Sequence, residues 1–134
     1  MSRIVARETL MQMVFGLNFN TEIELEEILE VLEDAKLEEE DRQYINLNLA
    51  GIKENYSRII NIIKENLRKF TIDRISKTDL AILVVAVYEL LAKTESEKVV
   101  INEAVELAKK YSLNTSYKFV NGILAQINKS GYEL

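Results

Sequence analysis

The chain has 134 residues, 48% of them apolar, which suits one compact domain around a single core. It holds neither cysteine nor histidine, so disulfides and thiolate metal sites are excluded and the commonest general base and metal ligand are missing. With 22 acids against 17 bases the net charge is -5, which taken whole argues against a phosphate-rich ligand.

Helical periodicity dominates from the start, and no proline interrupts it. The first segment, from about Arg3 to Asn18, carries Ala6, Leu10, Met13, Val14 and Leu17 as one apolar stripe. Thr21 followed by Glu24 reads as a capping box opening a short acidic helix to Leu32, with Ile28, Leu29 and Leu32 on its thin apolar face. Residues 21–41 hold eleven of the 22 acids and a single base, Lys36. The remaining 113 residues carry 16 bases and eleven acids. Because salt screens charge over roughly 8 Å, a ligand docking away from the acidic segment meets a neutral-to-basic surface.

From Glu39, Tyr44, Ile45, Leu47, Leu49 and Ile52 lead into Ile59, Ile60, Ile62, Ile63 and Leu67. The spacing favours one long helix over two joined near Asn55. Residues 68–75 form a connection with one helical turn. Ser76 then caps a helix over Lys77–Lys93, with Asp79 at the third position reaching back. That helix is apolar nearly all round, which places it at the centre of a bundle. Its run Leu80–Tyr88 is nine residues, short of the roughly 20 that span a bilayer. With no secretory segment at the N-terminus, the expectation is a cytoplasmic protein. Val99–Tyr111 and Thr115–Lys129 are two further helices, separated at Ser112–Asn114, with Asn114 as cap. No repeat or strand alternation is visible. The expected fold is all-α, a single domain over residues 1–134 of about seven helices in two packed bundles.

Three sets of residues invite a functional reading. Arg3 and Arg7 are four apart on the first helix, with Gln12 and Phe15 further along it. Guanidiniums, an amide and an aromatic ring suit single-stranded RNA, which offers phosphates, base edges and unstacked base faces. A solvated helix face with Phe15 in the core is the competing account. Lys109, Lys110 and Lys118 flank a turn carrying Asn114, Thr115, Ser116 and Tyr117, groups that can hold phosphate. Lys109 and Lys110 are better explained by a helix C-terminus; Lys118, in the first turn of its helix, is not. Gly51 and Gly122 sit inside helices, which points to close helix packing more than to ligand contact. The acids of 22–41 read as a solvated face, and no carboxylates converge as a catalytic pair would require.

Three stretches together resemble the NusB family: Arg3-Ile-Val-Ala-Arg7-Glu-Thr-Leu-Met-Gln12-Met-Val-Phe15, Lys77-Thr-Asp79 through Tyr88-Glu89-Leu, and Val99-Val-Ile-Asn102-Glu103-Ala through Ser116-Tyr-Lys118-Phe119-Val-Asn121-Gly122. The last is the most specific. The resemblance implies an all-helical, non-enzymatic adaptor without cofactor or catalytic residues. It implies binding of boxA RNA jointly with the ribosomal protein NusE, within the RNA polymerase antitermination complex, chiefly on ribosomal RNA operons. It carries Arg3, Arg7, Gln12, Phe15, Thr115 and Lys118 over as RNA-facing and Asp79 as a contact to NusE. The chain departs from the pattern in having fewer N-terminal arginines, Val84 where arginine is common, Ser96 where proline is common and Thr115 where an acid is common. Two other readings stay open. One is the helical module of a ribosomal RNA methyltransferase, which would need a following catalytic domain. The other is a protein-only scaffold, as a homodimer through an exposed apolar face.

Overall fold

A computed structural model describes residues 2–18, 38–68 and 71–134, with side chains from residue 4 onward. Five α-helices and one 3-10 turn run through them: α1 (Ser2–Leu17), α2 (Glu39–Glu65), the turn Ile72–Arg74, α3 (Lys77–Ala92), α4 (Glu97–Tyr111) and α5 (Ser116–Ser130). The count expected from periodicity, about seven, is therefore five among the described residues. The expected acidic helix of residues 21–32 lies outside them.

The long segment from Glu39 is one unbroken helix, as its spacing predicts. Asp41, Ile45, Asn48 and Ile52 recur at three and four residues, the pattern resumes at Ile59, Ile62 and Ile63, and with Tyr44 they form its buried stripe. Leu47 falls off that stripe and is 72% exposed, against expectation. Glu39, Glu40 and Asp41 in the first turn and Lys64 in the last complement the helix dipole. The helix stops at Asn66, whose backbone N–H donates to the Ile63 carbonyl while that of Leu67 donates to the Lys64 carbonyl.

Helix α3 is the shared element: α1, α2, α4 and α5 all pack on it. Leu80 to Val87 are buried without interruption, so the all-round apolar sequence has a physical reason. Ser76 caps α3, accepting from the Asp79 backbone N–H at 3.1 Å. The Asp79 side chain takes another partner instead of reaching back. Its Oδ1 accepts from the Ser112 hydroxyl at 2.6 Å, tying the start of α3 to the end of α4. The helix ends on Lys93 in the left-handed region, φ 55°.

The next helix starts at Glu97, two residues before the expected Val99, because Ser96 caps it by accepting from the Val99 backbone N–H. The last begins at Ser116 with Thr115, rather than Asn114, in the cap position. It closes on Gly131 at φ 69°, where glycine avoids the Cβ penalty. Among the described residues, no helix is long and apolar enough to cross a membrane.

Candidate nucleic-acid interface

Two neighbouring regions gather the residues singled out above. The first is the corner where α1 meets the end of α4. Glu8 of α1 is buried, and its Oε2 accepts from Lys110 Nζ at 2.6 Å and from the Tyr111 hydroxyl. Gln12 and Phe15 follow Glu8 at four and seven residues, so they share its side of α1. Gln12 is half-buried, and Phe15, far from lying in the core, is 37% exposed. Immediately past Tyr111, Leu113 and Thr115 stand exposed in the turn to α5.

The electrostatics of this corner are local. The hydrogen bond and charge of Glu8 raise the Lys110 pKa. Burial, then the bond to Glu8, raise that of Tyr111. Lys109 pairs with Glu106 at 3.4 Å and lies 5.2 Å from the centre of the Tyr117 ring. Lys109 and Lys110 thus have partners within the chain and sit in the last turn of α4. Lys118 is exposed, has no ion-pair partner among the described residues, and belongs to the first turn of α5. A cation there works against the helix dipole, whereas backbone N–H groups and an ammonium together suit an anion.

The second region is a cleft of about 310 Å3 between the end of α2 and one side of α5, lined by Asn66, Arg68, Lys118, Phe119, Gly122, Ile123 and Gln126. Arg68 Nε donates to Gln126 Oε1 at 3.0 Å, and Gln126 Nε2 donates to Asn66 Oδ1 at 2.8 Å. Asn66 Nδ2 donates in turn to the Ile62 carbonyl at 2.8 Å and to the Tyr132 hydroxyl at 3.2 Å. These bonds fix the amides and the guanidinium before any ligand arrives, so little side-chain order has to be bought on binding. A Cβ on Gly122 would meet nothing within 4 Å, so helix packing does not explain this glycine; it keeps the side of α5 facing the cleft low. Gly51 does show the expected close packing, against Tyr88.

Of the residues proposed from sequence, Gln12 and Phe15 reach one side of α1 beside the corner, and Lys118 reaches the cleft. Thr115 stands exposed at the cap of α5 without a side-chain capping bond. Arg3 lies in α1, and its side chain is outside the described residues. Arg7 differs from expectation: its side chain is 5% exposed and paired with Glu89 and Glu95, so it is not presented to a ligand. Asp79 is likewise buried and engaged by Ser112. Sequence reasoning missed Arg68, Phe119 and Gln126 as cleft residues. Phe119 was within reach, since it stands between Lys118 and Gly122; Arg68 and Gln126 are 58 residues apart, and no local pattern joins them.

The class these features define is an all-α protein whose last helix carries a cation, an amide and an aromatic ring on one side, with Arg68 beside them. The family model described as NusB family matches residues 3–129, and the chain belongs to that family. A Clostridium perfringens protein, "Transcription antitermination protein NusB", is 38% identical over 133 residues, covering 97% of this chain and 98% of that one. The solved structure of T. maritima NusB superposes with a TM-score of 0.82 at 37% identity, over 95% of this chain and 90% of that one. A structure of antitermination factors NusB and NusE in complex with dsRNA superposes with a TM-score of 0.79 at 26% identity, over 96% and 97% of the two chains.

Proposed function

We propose that this chain is a transcription antitermination factor that binds boxA RNA together with NusE, helping RNA polymerase read through terminators. It acts in the cytoplasm, as one domain and without catalysis. The observation that carries the reading is the α5 cleft, where Arg68 and Lys118 flank Phe119, Ile123 and a fixed pair of amides. Cations hold phosphate, a ring and an apolar floor accept a base, and Gln126, held in place by Asn66, offers its amide to a base edge. Family membership and the solved complex containing NusE and dsRNA support the same partners.

Gln12, Phe15, Thr115 and Lys118, with Arg68 and Phe119 added from the cleft, are the proposed RNA contacts; Arg3 stands on resemblance. Asp79 stands as the NusE contact on resemblance too. Its bond to Ser112 gives it a further part in fixing the α3–α4 corner.

The test is a titration of boxA RNA into the chain, alone and with NusE, at several salt concentrations. Weak binding alone, tighter binding with NusE and a steep loss with added salt are expected. Absence of binding in both arms would sink the reading.

A further inference from the structure

Arg7 occupies a position where resemblance suggests an RNA contact, and the fold surrounds it with protein groups. Its Nε lies 3.5 Å from Glu89 Oε2, and its Nη2 pairs with Glu95. Its guanidinium carbon is 5.7 Å from the centre of the Tyr44 ring. Tyr44 donates its hydroxyl to the other oxygen of Glu89, which is 2% exposed. One side chain of α1 thereby touches α2, α3 and the connection from α3 to α4.

We propose that Arg7 is a positioning residue, whose buried cluster with Glu89, Glu95 and Tyr44 sets the roll of α1 and so aims Gln12 and Phe15 at RNA. This rests on the RNA-binding reading above. Successive helix residues turn by about 100°, so Gln12 stands about 140° round from Arg7 and Phe15 about 80°. Fixing Arg7 inward therefore sets Phe15 at the side of α1 and Gln12 further round it, both next to Glu8. Glu8, about 40° from Gln12 and about 20° from Phe15 by the same rotation, anchors the opposite flank through Lys110 and Tyr111. The two anchors, one inward and one lateral, leave α1 a single angular setting, with its open edge beside the turn to α5. For Arg7 to reach a phosphate it would have to leave Glu89 in the core with the Tyr44 hydroxyl but without its cation. Stranding a buried charge costs far more than an exposed ion pair returns.

The experiment compares wild type, Arg7→Lys, Glu89→Gln, their combination and the milder Tyr44→Phe in RNA binding with NusE across a salt series. Glu89 is buried and acidic and cannot itself hold RNA. The proposal expects Glu89→Gln and Arg7→Lys each to weaken RNA binding by about tenfold, with the double variant no worse than either. Tyr44→Phe should weaken it less, and the salt slope should stay that of wild type. Loss in Arg7→Lys alone, with Glu89→Gln and Tyr44→Phe binding as wild type, would make Arg7 a direct RNA contact and overturn the proposal; so would unchanged binding in both single variants. If wild type itself binds no RNA, the functional reading fails, and hydrogen exchange still decides this one. Glu89→Gln and Tyr44→Phe should speed amide exchange along α1 relative to α5, and an unchanged α1 overturns the positioning role.

Discussion

Gly51 on α2 lies directly under Tyr88 on α3: a Cβ on the glycine would fall within the tyrosine ring and hydroxyl. The two helices approach this closely only because the smaller residue has no side chain. An interior glycine costs up to about 1 kcal/mol of helix propensity, so close packing must offset that loss. Gly51→Ala should therefore destabilise the protein by about 1–3 kcal/mol through overpacking, despite the better helix former. Urea midpoints measure this, and Tyr88→Leu in the same background should recover part of the loss. A neutral or stabilising Gly51→Ala would contradict the packing described.

Lys93 ends α3 with φ 55°, a conformation that a non-glycine residue adopts at a cost of roughly 1–2 kcal/mol. Lys93→Gly removes that cost but gives the unfolded chain more freedom, worth about 0.4–1 kcal/mol in the other direction. A net gain of about 1 kcal/mol or less is expected, seen as a higher melting temperature. Lys93→Val should lower it.

Lys118 and Phe15 separate two kinds of RNA contact. Lys118→Ala should weaken RNA binding evenly across sequences and lower the salt slope by about 0.7, the value for one phosphate on a single strand. Phe15→Ala should cost about 1–3 kcal/mol of binding, as loss of a stacked base does, with the salt slope unchanged. Lys118 is exposed, so the melt of its variant should stay close to wild type, whereas Phe15, with most of its ring covered, should lose some stability as well. A Phe15 variant that binds RNA normally would remove that side of α1 from the interface.

Alkaline titration reports on the corner between α1 and α4. The Lys110 and Tyr111 pKa values both lie above their ordinary values in the fold. A group whose pKa is raised by folding contributes stability below its unfolded pKa and loses it as pH rises through the folded one. Stability should thus decline above about pH 10, where both groups begin to titrate when unfolded. Glu8→Gln removes the shared carboxylate charge and leaves only a weaker neutral acceptor, so its stability should fall less steeply over that range. Denaturant midpoints at pH 8, 10 and 11 measure the difference; identical slopes would mean that the Glu8 contacts do not form in solution.

The legible parts of this chain were those governed by local rules. The all-apolar run of α3 required burial, and the spacing along α2 required a single long helix. Ser76 announced its helix. Ser96 did so less clearly, because the capped position three residues on is Val99 rather than an acid, and its helix was placed two residues late. The polar residues of α1 were the hardest. Arg7, Glu8 and Thr9 interrupt its apolar stripe, yet all three are buried. Thr9 is satisfied locally, donating to the Val5 carbonyl at 2.8 Å, but the partners of Arg7 and Glu8 lie some 80 to 103 residues along the chain. The cleft escaped for the same reason, since its amide–guanidinium chain joins α2 to α5 across 58 to 60 residues.

Because α3 is covered by helices from both sides of it in the sequence, it has a vulnerable moment during synthesis. When Ala92 has left the ribosome, α1 and α2 are, among the described residues, the helices made so far that can shield it. The surface meant for α4 and α5 stays open until residue 130 follows, a few seconds at about 5–20 residues per second. In that interval an apolar helix is half clad, and the length of its exposure is set by the rate of translation.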